Sequence, residues 1–373
     1  MRGQFTCKLE GSRSRKVKET VFVVEDLFTP LLGQPAIEAL GLIQRIALIQ
    51  GKIQLHDIMQ EFPKLFTGLG KLEGEYSIKL NDDTEPFALN APRRVPVPLM
   101  AAVKEELERM QELGVIEKVT DPTDWCAGMV VVPKKNKKVR ICVDLTKLNK
   151  SVKRERHPLP AVEQTFARLA GAKVFSKLDA NSEFWQVSLS PESALLTTFI
   201  TPFGRFCFNR LPFGITSAPE HFQRRIAEII EGLDGTVNLI DDILIHGRTQ
   251  EEHDERLRKV LKRLEEANLT LNKEKCLFSK NKMAFLGQVV DGDSGVQPDP
   301  EKVAAIVDMP TPGNVGDIRR FLGVANQMSK FVPNLAEKSQ PLRELLVKDN
   351  QWVWDEPQRK AFELIKEPYI GTF

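Results

Sequence analysis

Three aspartates lie at the ends of apolar segments whose patterns are typical of β-strands. Asp179 ends the segment VFSKLD, and 62 residues later (241 − 179) Asp241 and Asp242 interrupt the β-branched run VNLIDDILIHG at 237–247. The second pattern predicts a tight hairpin with both aspartates at its tip. Paired aspartates are also common in turns, so the hairpin alone does not separate a structural role from a chemical one.

A chemical role is favoured because carboxylates clustered at one end of a buried strand pair repel one another and are costly to desolvate. A divalent cation removes that cost. Two Mg²⁺ ions about 3.5–4 Å apart can hold the attacking and leaving oxygens of a phosphoryl transfer, and carboxylates are the ligands that Mg²⁺ prefers. The aspartates therefore predict a site for two Mg²⁺ ions, with Mn²⁺ as the alternative ion.

A strongly basic segment precedes the first aspartate. Between Lys134 and Arg156, ten lysines and arginines stand against two acidic residues, a net charge of +8 (10 − 2) in a chain that carries only +2 overall. Such a local charge suits contacts with triphosphates and nucleic-acid backbones. A solvated basic face is the commoner explanation of a charge run, but apolar strand residues alternate with these cations. The pattern predicts a hairpin around Lys134–Lys138, with Asn136 at its turn.

Between the two acidic segments, the run FNRLPFGITSAPEHFQRRIAEII at 208–230 predicts a turn followed by a helix. The turn covers Leu211–Gly214, and we expect Ser217 to be the N-cap of the helix and Pro219 to lie in its first turn. Gly214 has no side chain, which lets a nucleotide approach the backbone closely. Alone, the run is also an ordinary junction between a loop and a helix.

These segments and further ones follow one another along the chain in a fixed order of motifs. The basic hairpin, LDANSEFWQ, RLPFGITSAPEHFQ, LIDDILI, LNKEKCLF and FLGQVV resemble the successive motifs of reverse transcriptases. The segments VRICVDLTKLNKSVKRERHPLP and FLGVANQMSKFVPNLAEKSQPL resemble the polyproteins of gypsy-type LTR retrotransposons, and the resemblance runs from about residue 20 to about residue 366. It implies RNA-directed DNA synthesis, in which deoxynucleotide triphosphates extend the primer 3′-hydroxyl on an RNA or DNA template and pyrophosphate is released.

The fold that the resemblance implies is an α+β right-hand polymerase, with fingers, a palm built on an antiparallel sheet, and a partial thumb. We expect residues 1–45 to be the C-terminal remnant of a retropepsin-like protease, with Leu-Leu-Gly at 31–33 in its last strand, and residues 46–90 to be a linker. Fingers and palm would occupy 91–287, thumb and connection 288–348, and the start of an RNase H-like domain 349–373.

The resemblance also implies individual roles. Asp179 and Asp241 would hold both metal ions, with Asp242 as a third, more peripheral carboxylate. Phe184 would be the steric gate that excludes a ribose 2′-hydroxyl. The remaining nucleotide-binding residues would be Lys134, Lys135, Arg140, Phe213, Gly214, Gln223 and Lys275, with Lys273 as the less favoured alternative to Lys275 as proton donor to pyrophosphate. The primer grip would comprise Phe285, Leu286 and Gly287.

Two positions depart from the family pattern. Leu239 stands where a tyrosine is usual, and Glu183 where glycine is usual, beside the gate. An added carboxylate there would repel the triphosphate or sequester metal, which predicts reduced activity. The alternative functions are a catalytically silent relic that only binds template–primer, and the RNase H or protease activity of a parent polyprotein. The hydrolases are disfavoured because their catalytic acids are missing; Asp293-Ser294-Gly295 is interpreted as a plain turn.

Composition narrows the class of protein further. The chain has 373 residues with 42% hydrophobic content, which is ordinary for a soluble globular protein of more than one domain. No apolar run reaches membrane length and no signal peptide begins the chain, so no membrane partner is expected. Five scattered cysteines predict reduced thiols in an intracellular, cytoplasmic protein, housed in a virus-like particle if the element is active. The sequence leaves the oligomeric state open.

Overall fold

The computed structural model describes residues 55–134, 138–154, 162–347 and 350–369, together with the backbone of two strands nearer the N-terminus. The chain divides into two compact units, Met1–Gln54 and Leu55–Phe373. In the first unit, the strands Gly3–Glu10 and Lys16–Val23 form an antiparallel pair. The Leu-Leu-Gly segment at 31–33 lies outside the described residues.

Strands and helices are numbered here along the chain. The strands are β1 Gly3–Glu10, β2 Lys16–Val23, β3 Glu75–Tyr76, β4 Ile116–Lys118, β5 Ala127–Pro133, β6 Val139–Val143, β7 Val174–Asp179, β8 Ser188–Leu189, β9 Phe199–Thr201, β10 Gly204–Phe208, β11 Thr236–Leu239, β12 Asp242–Gly247, β13 Leu277–Lys280, β14 Lys282–Phe285, β15 Gln288–Asp291 and β16 Gly295–Pro298. The α-helices are α1 Leu55–Glu61, α2 Met100–Glu112, α3 Thr146–Ser151, α4 Val162–Ala167, α5 Pro191–Leu196, α6 Ala218–Ile229, α7 Gln250–Glu266, α8 Pro300–Val307, α9 Val315–Gln327, α10 Leu335–Lys338, α11 Gln340–Glu344 and α12 Glu356–Lys366.

The sheet expected for the palm is present and antiparallel, in the order β11-β12-β7-β13. Helices α6 and α7 supply its core. Their apolar residues recur every three to four positions, so one face of each helix is buried, and in α7 that face is fully buried. The buried residues are Phe222 and Ile226 in α6 and Leu257, Val260, Leu261 and Leu264 in α7. The strands that carry the three aspartates are therefore backed by a continuous apolar layer.

The basic hairpin belongs to a second sheet, in the order β4-β10-β9-β5-β6. Strands β5 and β6 pair from Met129↔Val143 to Pro133↔Val139, and the N–H of Lys134 donates to the carbonyl of Lys138 at 2.7 Å. The predicted hairpin is confirmed. Its turn, with Lys135 and Asn136, lies outside the described residues.

Residues 55–80, which we expected to belong to a linker, pack instead as part of the second unit. Ile58, Leu65 and Leu72 are buried. Strand β3 pairs in parallel with β8, and the N–H of Gly70 donates to Thr270 Oγ1 at 2.9 Å. A side chain at Gly70 would collide with the carbonyl of Asn268, 2.6 Å from a Cβ placed there. Local composition resembles a connector, but long-range contacts fix this segment.

The C-terminal part consists of a three-stranded sheet, β14-β15-β16, and a helical cluster. Phe321 of α9 lies 4.6 Å from Phe362 of α12 between ring centroids, and Ile306 and Ile365 are fully buried in the same cluster. The described residues 350–369, where we expected a new domain to begin, thus pack onto the helices expected for the thumb and connection.

Candidate functional site

The three aspartates meet at the end of β7 and β12. Asp179 is the last residue of β7, Asp242 is the first of β12, and the two stand opposite each other in the antiparallel register. Asp241 lies in the two-residue turn between β11 and β12. One carboxylate oxygen from each residue lies within 4.8 Å of the others. The hairpin predicted from the sequence is confirmed, although Asp242 begins a strand and only Asp241 is in the turn.

The turn that carries Asp241 is strained. Ile240 has φ +54°, a left-handed conformation that is unfavourable for a β-branched residue. Gln223 of α6 offsets the strain, because its Oε1 accepts a hydrogen bond of 2.6 Å from the N–H of Ile240. Two longer contacts join Gln223 to Asn238, at 3.4 and 3.5 Å. Gln223 is buried, so its side chain positions the hairpin rather than lining an open nucleotide pocket.

Two lysines neutralise part of the negative charge. Lys275 Nζ lies 3.1 Å from Asp179 Oδ1 and 3.2 Å from Oδ2, and only the Oδ2 contact has hydrogen-bond geometry. Lys177 Nζ lies 2.8 Å from Asp242 Oδ1. Sequence reasoning missed Lys177. Its signal was a lysine in a buried strand two residues before Asp179, a spacing that places both side chains on one face of the sheet.

The environment of Asp179 fits a bound cation. Its side chain is buried, and its Oδ1 accepts no hydrogen bond among the described residues. Burial is the main cause that raises the pKa of Asp179; Lys275 lowers it, and the neighbouring Asp241 and Asp242 raise it further. Three clustered carboxylates, one of them buried, are the donor set that a hard divalent cation uses. The three aspartates could therefore hold a divalent metal ion.

The predicted gate residue lies in an aromatic cluster next to the aspartates. Phe184 is 8% exposed, and its ring centroid is 5.1 Å from that of Phe213 and 5.9 Å from that of Phe222. Phe213 is 45% exposed, so it presents an aromatic face to solvent. The structure brings Phe184 and Phe213 together and holds the Phe184 ring in place from two sides.

The turn at Gly214 is held by Asn149 of α3. Asn149 Nδ2 donates to the carbonyl of Gly214 at 2.7 Å, and Asn149 Oδ1 accepts from the N–H of Thr216 at 3.0 Å. Gly214 has φ +96°, which explains the glycine. Ser217 is the N-cap residue of α6 and Pro219 lies in its first turn, as predicted. The Ser217 hydroxyl bonds to Tyr76 Oη at 2.7 Å and makes no capping bond.

The remaining predicted residues lie at the periphery. Lys134 and Arg140 are exposed on the hairpin of the second sheet, and Lys273 is exposed near Lys275. In the expected primer grip, Leu286 and Gly287 form a two-residue turn with φ +49° and +71°, as hairpins with primed turns require.

Phe285, the third residue of the expected primer grip, is buried. Its ring lies edge-on to Phe166 of α4, with the two centroids 6.2 Å apart. The turn formed by Leu286 and Gly287 is thus the more exposed part of the expected primer grip.

The comparisons with known proteins agree with this arrangement. Residues 132–290 match the family described as reverse transcriptase (RNA-dependent DNA polymerase). The chain is 32% identical over 348 residues to the Transposon Tf2-3 polyprotein of Schizosaccharomyces pombe, which covers 89% of this chain and 25% of the relative. The Tf2-7 polyprotein of the same organism is 31% identical over the same length. The chain thus spans about a quarter of the length of these curated relatives.

Solved structures show the same fold. A foamy viral protease-reverse transcriptase in complex with an RNA/DNA hybrid superposes with a TM-score of 0.72 at 19% identity, over 99% of this chain and 52% of that one. A second form, in complex with double-stranded DNA, gives 0.75 at 19% identity, over 98% and 68%. The predicted α+β polymerase fold is confirmed. Within the described residues, no helix is both long and apolar enough to cross a membrane.

Proposed function

We propose that this chain is an RNA-directed DNA polymerase of a gypsy-type retrotransposon, and that it adds deoxynucleotides to a primer 3′-hydroxyl; the match of residues 132–290 to the reverse transcriptase family supports the proposal. The observation that carries the proposal is the meeting of Asp179, Asp241 and Asp242 within 4.8 Å, with a buried oxygen of Asp179 left without a hydrogen bond. A two-metal centre with Mg²⁺ accounts for both features.

In this proposal Asp179 and Asp241 hold the metal ions, and Asp242, which is paired with Lys177, is the peripheral carboxylate. Ions held there would lower the pKa of the primer hydroxyl and would offset the charge that develops on the transferring phosphoryl group. The strand ends orient these carboxylates, and Gln223 fixes the turn that carries Asp241. The α-phosphorus forms a bond to the 3′-oxygen, whose proton passes to solvent, and loses its bond to pyrophosphate.

Lys275 is suited to donate the proton that pyrophosphate takes up. Burial lowers its pKa, but the hydrogen bond and charge of Asp179 outweigh that effect, and the pKa is raised above the usual value for lysine. The ammonium is therefore protonated at neutral pH and can transfer a proton once the leaving group develops its charge, but its raised pKa makes it a weaker acid than an ordinary lysine. At 60% exposure the side chain is free to reach a bound substrate.

Template–primer and nucleotide are the proposed partners. The foamy viral enzymes of the same fold were solved with an RNA/DNA hybrid and with double-stranded DNA. In this chain the exposed Lys134 and Arg140 would contact the triphosphate through charge-assisted hydrogen bonds. Phe184, held by its aromatic neighbours, would exclude the 2′-hydroxyl of ribonucleotides. The similarity to retrotransposon polyproteins also leads us to propose an intracellular site of action.

The test is primer extension on an RNA template with Mg²⁺, with Asp241→Asn as the matched variant. The change removes one charge and keeps the size of the side chain, so extension should disappear while template–primer binding remains. Extension that persists in Asp241→Asn would contradict the proposal. Binding of template–primer without extension in the unaltered chain would favour the second candidate function, a relic that only binds template–primer. Glu183 and Leu239, which depart from the family pattern, are the residues that favour this candidate.

A further inference from the structure

The hairpin of β14 and β15, here called the grip hairpin, carries the turn that we expect to hold the primer. Phe285 and Gln288 stand opposite each other in its register, and Leu286 and Gly287 form the turn between them. The carbonyl of Gly287 lies in the turn, outside the strand ladder. A backbone carbonyl in this position needs a donor from another part of the chain or from water.

Lys302 of α8 supplies that donor. Its Nζ donates to the carbonyl of Gly287 at 3.0 Å, and its side chain is half-buried there. A Cβ at residue 287 would collide with the same Nζ, so the ammonium packs against the face of the turn that the glycine leaves open. Gly287 therefore has two reasons to be a glycine, the positive φ of the turn and the close approach of Lys302.

The bond joins two parts of the chain that have separate hydrophobic cores. Val303 and Ile306, the neighbours of Lys302 on α8, are buried in the C-terminal helical cluster of α8–α12. Phe285 of the grip hairpin is buried in another cluster, together with side chains of the palm strands. Asp299, which follows β16 directly and caps α8, connects the two parts along the chain. Lys302 therefore ties the helical cluster to the turn by a second, non-covalent route.

A second lysine of the helical cluster also contacts the grip hairpin, through Phe166. Lys330 lies in the short turn Ser329–Phe331 after α9, and its Nζ is 4.7 Å from the centroid of the Phe166 ring. The Phe166 ring in turn lies edge-on to Phe285, with the centroids 6.2 Å apart. An ammonium over an aromatic face is attracted to it. The helical cluster thus supports the hairpin at its turn and, by way of Phe166, at Phe285.

We propose that Lys302 is a positioning residue, which fixes the turn of Leu286 and Gly287 relative to the C-terminal helical cluster and so sets where the turn holds the primer strand. The inference rests on the proposed function, because it assumes that a primer lies at this turn. In this role Lys302 touches no reacting atom and acts through the carbonyl of Gly287. Without its bond the turn moves against the helices and holds the primer less firmly, while the metal centre is left intact.

The first test needs no substrate. Hydrogen–deuterium exchange with mass spectrometry measures how often the grip hairpin opens in the free protein. Lys302→Met removes the donor and nearly keeps the length of the side chain, so the amides of residues 284–289 should exchange about tenfold faster, as expected for the loss of one hydrogen bond to a charged group. Lys302→Arg should exchange like the unaltered chain. Lys360→Met, at an exposed position of α12, is the matched control. An unchanged exchange rate in Lys302→Met would overturn the proposal.

The second test measures the release of template–primer into an excess of unlabelled duplex. The dissociation rate should rise about tenfold in Lys302→Met and return to that of the unaltered chain in Lys302→Arg, while the KM for deoxynucleotide stays the same. A lysine that contacts a phosphate directly would behave differently, because its loss lowers the slope of log affinity against log salt by about one. Positioning through the carbonyl predicts an unchanged slope, so a slope that falls in Lys302→Met would overturn it.

A double-mutant cycle with Gly287→Ala tests the contact itself. Each single change breaks the same contact, because the added methyl group displaces the ammonium. The strain of alanine at positive φ is present with and without Lys302, so it cancels in the cycle. The double variant should release template–primer no faster than Gly287→Ala alone. Two effects that multiply would contradict the proposal.

These measurements separate the inference from the proposed function. If the unaltered chain binds template–primer without extending it, and both tests respond to Lys302→Met as expected, the polymerase activity is overturned and the positioning of the primer stands. If the unaltered chain binds no template–primer, both are overturned. Faster exchange with unchanged release would overturn the role of Lys302 at the primer alone. If Lys302→Met fails to fold, which urea unfolding reports, Lys302→Gln replaces it with the same expectation.

Discussion

Replacing Gln223 with methionine removes the hydrogen bonds that hold the turn of Asp241 while nearly preserving side-chain volume. The principal loss is the 2.6 Å bond to the N–H of Ile240. The contacts with Asn238, at 3.4 and 3.5 Å, are long; one of them uses the Gln223 backbone carbonyl and survives the substitution. The magnitude therefore depends on a single strong bond.

That bond can be assigned a free energy. Removing the acceptor leaves the partly buried N–H of Ile240 unpaired, which costs about 1–3 kcal/mol, so Gln223→Met should lower the free energy of unfolding by about 1–3 kcal/mol. The left-handed conformation of Ile240 costs about 1–2 kcal/mol. Once the bond is lost, a relaxed turn competes with the strained one. If the relaxed turn is favoured by about 2 kcal/mol, kcat should fall about thirtyfold, since about 1.4 kcal/mol corresponds to a factor of ten.

Urea unfolding and single-nucleotide primer extension measure the two quantities. Gln60→Met, at an exposed position of α1, is the control and should change neither. Adding Ile240→Gly to Gln223→Met should recover about 1 kcal/mol of stability, because glycine tolerates the left-handed conformation, but should not restore kcat. Equal unfolding midpoints and equal kcat values for the unaltered chain and Gln223→Met would refute this account of the turn.

Three further outcomes are expected. Phe184→Val should admit ribonucleotides, lowering the preference for dNTP over rNTP in extension assays without lowering kcat for dNTP; an unchanged preference would remove Phe184 as the gate. Burial, with help from Arg224 and Arg225, lowers the pKa of His221 to about 4, whereas the unfolded chain takes up that proton near pH 6.5. Stability should therefore be lost as pH falls through this window, by about 2 kcal/mol at pH 5, and His221→Gln should lose less than the unaltered chain in urea unfolding at pH 8 and pH 5. His253→Ala should cost about 3 kcal/mol, because the buried ring bonds Ser176 and Asp254, each at 2.8 Å; an unfolding midpoint that does not move would contradict this.

The sequence alone was sufficient to predict those structural features that depend on a local pattern of residues. The alternation and β-branching around Asp241 predict a hairpin, and the hydrophobic spacing of α6 and α7 predicts which faces are buried. These features depend on residues a few positions apart, so they are visible in one chain without coordinates. The order of motifs then implied the fold, which the solved structures confirm.

What the sequence did not show depends on contacts between distant segments. Ser217 has the side chain of an N-cap, but Tyr76, 141 residues away in the chain, competes successfully for its hydroxyl. Phe285 was expected at the primer, yet Phe166 covers its ring. The positions of Lys177 and Gln223 relative to the aspartates follow from strand register and helix packing, which no local pattern specifies.

The segment 55–80 has a consequence for the order in which the protein is made. Gly70 donates to a side chain 200 residues later in the chain, and the N–H of Leu72 donates to the carbonyl of Gln186. At about 5–20 residues per second of synthesis, Gly70 leaves the ribosome roughly 10–40 s before its partner exists. During that time the segment lacks the later part of the chain that packs against it. Its exposed apolar side chains then include those that are buried in the finished fold, Ile58, Leu65 and Leu72. Synthesis therefore exposes this segment to chaperones, and the palm sheet can be completed only after Lys280 at the end of β13 has emerged.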